Sequence, residues 1–227
     1  LLLGIVACCT SLTSHAQDDN LSIKYLGNGQ SFVRPVMSQK YLLLPIEEKA
    51  GESRVTLIVD NYAIHTMHIR LAVDKIDYYV PYELSGYELG KVILDIHGVK
   101  EDAVCWKEMK LSDSFDKQNR EQYRPTYHFA PEYGWMNDPN GFCYYKGKYH
   151  VFFQHTPYTV ESKEKSWGHA VSDDLLTWQE LPTAISPEHD YENIGGCFSG
   201  SAIEKDGNLH LFYTGSSSDY GQCQATA

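Results

Sequence analysis

The sequence predicts an all-β protein: a small antiparallel β-sandwich followed by the opening blades of a β-propeller. Two observations carry this reading. The first half is a succession of short runs rich in Val, Ile and Tyr, broken by turn-forming residues, which is the pattern of a sandwich. The second half repeats itself. At a 60-residue shift Gly147 falls on Gly207, His150 on His210, Phe152 on Phe212 and Phe153 on Tyr213. Each copy reads as a strand, a Gly-containing turn and an aromatic-rich strand, and about four strands per repeat is the unit of a propeller blade.

Residues 1–16 read as the remnant of a signal peptide, with Leu1-Leu2-Leu3-Gly4-Ile5-Val6-Ala7 too short to span a bilayer. Two exits are open. Ser14-His15-Ala16 before Gln17 is a small-x-small cleavage site, and Ile5-Val6-Ala7-Cys8 resembles a bacterial lipoprotein box with Cys8 as a lipid anchor. Both imply export from a bacterial cell, to the periplasm, the cell surface or the medium, with no membrane span. Cys8 and Cys9 belong to this leader. Cys105, Cys143, Cys197 and Cys223 show neither C-x-x-C pairs nor metal spacing and are expected to be small buried hydrophobes.

Residues 17–113 are the sandwich, with strands expected at 40–46, 54–60, 66–72, 77–80 and 91–96. Turn material such as Lys49-Ala50-Gly51-Glu52 and Asp60-Asn61 separates them. No catalytic motif falls here, so the region reads as a packing brace or a carbohydrate-binding module. His65 and His68 lie in strand-like sequence, where positions i and i+3 point to opposite faces, and this argues against a zinc pair. Residues 114–124 are polar, lack apolar periodicity and read as a linker. Residues 125–227 hold the propeller repeats, and Gly168–Ser172 and Thr177–Leu181, split by Asp173-Asp174, supply the outer strands of the first copy.

Composition narrows the function. Charged residues make up 22% and hydrophobic residues 42%, as in a globular protein, and the net charge of −11 comes with no basic run. That argues against nucleic acid and anionic membrane as partners. The 17 Tyr are first of all strand and core residues, and only second a sugar-stacking surface.

The chemistry concentrates in Trp135-Met136-Asn137-Asp138-Pro139-Asn140-Gly141. Asp-Pro-Asn-Gly is a strong turn signal, because Pro fixes φ while Asn and Gly tolerate positive φ. A ring to stack on, an amide for hydroxyls and a carboxylate also crowd its entrance, as a sugar site requires.

This heptapeptide, preceded by Arg124-Pro125-Thr126-Tyr127-His128-Phe129, resembles the signature of glycoside hydrolase family 32, the invertases, inulinases and levanases. Four later segments resemble that family's next motifs in its order. They are Phe152-Phe153-Gln154, Trp167–Ser172, Cys197-Phe198-Ser199-Gly200-Ser201 and Leu211-Phe212-Tyr213-Thr214-Gly215. The resemblance covers residues 123–227. An extra N-terminal domain in this position resembles the one on some bacterial levanases. The resemblance implies a five-bladed propeller that hydrolyses fructan or sucrose-type β-fructofuranosyl linkages with retention, without metal or organic cofactor. It implies Asp138 as the nucleophile, Gln154 as a substrate-binding residue and Phe198-Ser199 as the pair beside the sugar. Trp135 is expected to stack on the ring or cap the pocket. Asn137 and Asn140 are expected to fix the Asp138 rotamer or hold hydroxyls, and Trp167 to be core.

Retaining glycosidases need a second carboxyl about 5–5.5 Å from the first. The family supplies it through Arg-Asp-Pro and Glu-Cys segments, and neither string occurs among these 227 residues. The chain is therefore expected to be a fragment, cut at both ends and inactive by itself. Glu161, Glu188, Asp190 and Glu192 read as solvated loop charges. The family's Asn-Pro and Trp after the Gln are replaced by His155-Thr156-Pro157 and a polar stretch holding Glu161, so the wall of the pocket is expected to be more polar. A related five-bladed glycosidase, such as an arabinan-cleaving one, and a non-catalytic fructan-binding protein on the same fold are the competing readings.

Overall fold

The computed structural model of the chain describes residues 20–88, 90–115, 124–159 and 164–227. Residues 1–16, read above as a signal-peptide remnant, most of the 114–124 stretch and Glu161 lie outside the described residues.

Eight strands build the first region: β1 (Leu21–Gly27), β2 (Gln30–Pro35), β3 (Tyr41–Ile46), β4 (Ser53–Val59), β5 (Tyr62–Ile69), β6 (Tyr78–Glu83), β7 (Val92–His97) and β8 (Lys110–Ser112). They form one sheet in the order β1-β2-β7-β4-β5 and another in the order β6-β3-β8, with every pair antiparallel. The alternation in β4 explains the packing. Val55 and Leu57 point inward with Leu94 and Ile96 of β7, and meet Leu42, Leu44 and Ile46 of β3 from the opposing sheet. Each such side chain contributes roughly 1.5–3 kcal/mol on burial. A single helical turn, α1 (Cys105–Glu108), tucks Trp106 under the sandwich, where its indole N–H donates to the Lys100 carbonyl at 2.6 Å.

The sandwich is thus as expected, with corrections in detail. The strand expected at 66–72 is β5, which starts four residues earlier because Asp60 and Asn61, both at positive φ, close a two-residue hairpin turn directly before it. The strands β1, β2 and β8 were not foreseen. The first two carry Lys, Gln and Arg on their open faces, and β8 is only three residues long.

Seven strands build the second region. β9 (Trp135–Tyr145), β10 (Lys148–Thr156), β11 (Ser166–Ser172) and β12 (Gln179–Ile185) form a four-stranded sheet in the order β12-β11-β10-β9. β13 (Gly196–Lys205), β14 (Asn208–Ser217) and β15 (Gly221–Thr226) form a second sheet in that order. Each is an antiparallel meander, as a propeller blade is. The 60-residue repeat is visible in the backbone. Lys146-Gly147 and Asp206-Gly207 are matching two-residue turns with φ of 47° and 82° in one and 54° and 78° in the other. Both central residues at positive φ is the hairpin turn whose twist matches the flanking strands. Phe152, Trp167 and Ile185 of the first sheet pack against Cys197, Leu211 and Tyr213 of the second.

Contacts between the regions among the described residues include an ion pair and a ring pair. His68 Nδ1 lies 2.7 Å from Glu164 Oε1, and the Tyr82 and Tyr158 rings stand 6.0 Å apart. Cys105, Cys143, Cys197 and Cys223 are unbridged, and Cys105 and Cys197 are fully buried. Among the described residues no helix is long and apolar enough to cross a membrane.

Candidate active site

Asp-Pro-Asn-Gly does not form the expected β-turn. It lies inside β9, the edge strand of its sheet, and the register with β10 slips on both sides of it, between Phe153 and His155 and between His150 and Phe152. Pro139 lacks an N–H, which an edge strand tolerates. Gly141 takes φ of +58°, and a Cβ there would stand 2.8 Å from the Phe152 ring. The irregular register gives the strand a local bend, and Asp138 emerges at the bend, solvent-exposed.

Four of the seven predicted site residues line one cleft of about 410 Å³: Asp138, Gln154, Phe198 and Ser199. They come from three strands. Asp138 is on β9, Gln154 on β10, and Phe198 and Ser199 lie at a register shift in β13. Ser199 Oγ donates to Asp138 Oδ2 at 3.2 Å, linking the two sheets at the cleft floor. Gln154 is 2% exposed, and its Nε2 donates to the Cys197 carbonyl at 2.7 Å, so the amide has a fixed orientation. The Trp167 indole, fully buried as expected, donates to the Phe198 carbonyl at 3.1 Å and steadies the backbone behind that ring.

The other three share β9 with Asp138 but are not part of the cleft lining. Trp135 is 39% exposed and donates its indole N–H to Asn137 Oδ1 at 2.8 Å. Asn140 Nδ2 donates to the Asp138 carbonyl at 3.3 Å, and so braces the backbone of the carboxylate's own residue rather than its side chain.

Sequence reasoning missed Lys165, Thr214 and Gln222, which complete the lining. Thr214 lay within the quoted Leu211–Gly215 segment, at the position where β14 reaches the cleft. Lys165 and Gln222 gave no signal, since both stand in polar stretches and reach the site only through pairing of distant segments. Burial pushes the Lys165 ammonium below its ordinary pKa, and the negative charge of Asp138 pushes it back up.

Glu192 overturns an expectation. It is not a solvated loop charge but 1% exposed, at the end of a short helical turn spanning Asp190–Glu192. Its Oε1 accepts the Tyr213 hydroxyl at 2.5 Å, and its Oε2 accepts the Glu188 and His189 backbone N–H groups at 2.8 and 2.9 Å. Those bonds offset the cost of burying a carboxylate. Burial, and then the Glu192 carboxylate, hold the Tyr213 phenol far above its ordinary range. Glu192 is committed to the fold and does not line the cleft, where Asp138 is the one carboxylate among the described residues. Glu188 and Asp190 are exposed, as expected.

One carboxylate held by a hydroxyl, on rigid strands beside an aromatic ring and an oriented amide, can attack an electrophilic carbon in a bound sugar. Two stretches of the chain match known families. Residues 128–227 match the family described as Glycosyl hydrolases family 32 N-terminal domain, and residues 27–127 match a Domain of unknown function (DUF4980). A levanase from Bacillus subtilis (strain 168) is 52% identical over 95 residues, which is 42% of this chain and 13% of the levanase. A raffinose invertase from Escherichia coli is 52% identical over 91 residues, 40% of this chain and 19% of the invertase. The solved structure of fructan 1-exohydrolase IIa from Cichorium intybus shares 44% identity, covering 48% of this chain and 20% of that one, with a TM-score of 0.44. The chain thus spans a fifth or less of the length of these relatives.

Proposed function

We propose, from the match of residues 128–227 to the family 32 glycosyl hydrolase N-terminal domain, that the protein containing this chain hydrolyses β-fructofuranosyl linkages in fructans or sucrose-type sugars. The observation that carries the reading is the Asp138 carboxylate, hydrogen-bonded by Ser199 and set beside Gln154 and Phe198 in one cleft. Asp138 attacks the anomeric carbon and forms a fructosyl-enzyme ester. A second carboxyl group protonates the leaving oxygen and then activates water, which gives net retention. Among the described residues Asp138 alone lines the cleft with a carboxylate, so the acid/base is to be sought elsewhere in the full-length protein. Gln154 orients sugar hydroxyls and Phe198 packs against the ring. Trp135 and Asn137, tied to each other on β9, are proposed to contact the sugar once the rest of the protein is in place. The leader supports action outside the cytoplasm, which mass spectrometry of the mature N-terminus would test, with lipidated Cys8 and free Gln17 as the two alternatives.

The test uses the full-length protein without its leader, incubated with levan, inulin and sucrose while fructose and oligosaccharide release is followed. Asp138→Ala is expected to lower turnover by at least ~10⁴-fold. Release by the wild type that survives in Asp138→Ala would sink the assignment of the nucleophile. Absence of release from all three substrates, with fructan still bound, would favour a binding protein on the same fold.

A further inference from the structure

Lys165 is the one cation lining the cleft among the described residues, and no motif or family resemblance assigns it a role. Its backbone is tied on both sides to the segment that leads into β13. Its N–H donates to the Gly195 carbonyl at 2.9 Å, and its carbonyl accepts the Cys197 N–H at 2.8 Å. Gly196, at φ of +84°, lies between those two anchors, and a Cβ on it would stand 2.4 Å from the Lys165 carbonyl oxygen. The approach of these two segments, one leading into β11 and the other into β13, therefore requires glycine. What the clamp fixes is the point from which the Lys165 side chain enters the cleft.

The ammonium stands 5.9 Å from the Phe198 ring centroid and shares the cleft with Asp138, Gln222 and Thr214. Phe198 presents the face on which a sugar ring packs, and Asp138 the carboxylate that attacks it. A partly desolvated ammonium in the same cleft has three N–H donors, and it meets sugar oxygens in a setting where charge-assisted hydrogen bonds are stronger than in water. With Gln222 and Thr214 it makes one wall of the cleft rich in donors, which suits a ligand whose edge is all hydroxyl oxygens.

We propose that Lys165 is a specificity-determining residue of the cleft, donating hydrogen bonds to hydroxyl oxygens of the bound fructoside. The proposal rests on the fructosidase reading given above. It places Lys165 on the substrate itself and not on Asp138 alone, and this separates two kinetic signatures. A group that binds substrate equally in ground and transition states acts on KM, whereas one that acts through the nucleophile acts on kcat.

The experiment compares wild type, Lys165→Met and Lys165→Arg in the full-length protein, with steady-state kinetics on sucrose and on the fructan that the wild type cleaves best. Lys165→Met is expected to raise KM about 10-fold with kcat changed less than ~3-fold, the loss of one charge-assisted hydrogen bond. Lys165→Arg is expected to recover most of it, and the thermal midpoint to stay within ~2 °C. An unchanged KM overturns the proposal, and so does a fall in kcat alone. Calorimetric titration with a fructo-oligosaccharide in an Asp138→Asn background separates this proposal from the activity reading. If the wild type hydrolyses nothing but the Asp138→Asn protein binds, Lys165→Met must still weaken binding about 10-fold. If it does not, or if no oligosaccharide binds at all, the role of Lys165 is refuted.

Discussion

The two sheets of the second region carry the same hairpin in different surroundings. Phe152 of β10 and Phe212 of β14 occupy matching places after matching glycine turns, yet Phe152 is 1% exposed and Phe212 is 37% exposed. Their neighbours in the repeat, Phe153 and Tyr213, are both buried. The difference lies in the packing partner. Phe152 is covered by the Trp167 ring at 5.6 Å, the His169 ring at 4.3 Å and the apolar face of the second sheet. Neighbouring rings of its own sheet and the stacked second sheet together bury Phe152. The sandwich is the contrary case, because its two sheets close on each other around a single cluster running from Leu21 to Leu111.

Paired substitutions sharpen the contrast most. Phe152→Ala is expected to cost about 3–5 kcal/mol, the range for a fully buried aromatic, whereas Phe212→Ala should cost under ~1 kcal/mol. Urea unfolding of this chain, followed by tryptophan fluorescence, would read both. Equal losses would mean that the two faces are equally covered in solution and would break the comparison. Next in size is Gly168→Ala. Its Cβ would stand 2.2 Å from the Phe153 ring, inside a core with no room to shift. Overpacking of this kind costs about 1–3 kcal/mol, and a neutral result would show that the Phe153 side chain has another rotamer open to it.

Much of this was legible because it is local. The hairpins at Gly147 and Gly207 were legible from a glycine turn between strand-like runs, and the sandwich from short Val-, Ile- and Tyr-rich runs broken by turn residues. Asp138, Gln154, Phe198 and Ser199 were legible through motif order, and they do meet. What escaped was non-local. Asp-Pro-Asn-Gly has the propensities of a turn, but pairing of both its flanks with β10 holds it in an edge strand. Glu192 reads as a loop charge until β14 brings Tyr213 to it across 21 positions. Lys165 has a place in the cleft only because Gly195-Gly196-Cys197 closes on its backbone.

The smallest expected effect concerns the histidines that cover Phe152. His150 Nε2 donates to the Tyr145 carbonyl at 3.2 Å, so its Nδ1 is bare and accepts from His169 Nε2–H at 2.9 Å. The pair is a neutral–neutral hydrogen bond with stacked rings 5.2 Å apart. Burial holds both below the usual imidazole pKa, and the neighbouring His150 charge adds to the effect on His169, which falls to about 4. Lys148, close enough to act on His150, pushes the same way. The fold therefore favours the uncharged rings. Above pH ~6.5 neither state binds the proton and the pair contributes no pH dependence. As pH falls from about 6.5 towards 4 the unfolded chain takes up protons that the folded chain refuses. Stability should drop over that window by on the order of 1–2 kcal/mol once solvent screening of these part-exposed rings is allowed for. His169→Phe keeps a ring against Phe152 and removes the more strongly shifted of the two titrations, so its unfolding midpoint should be flatter than the wild type's between pH 6.5 and 4. Parallel curves would show that the acid sensitivity of this region arises from groups other than the histidine pair.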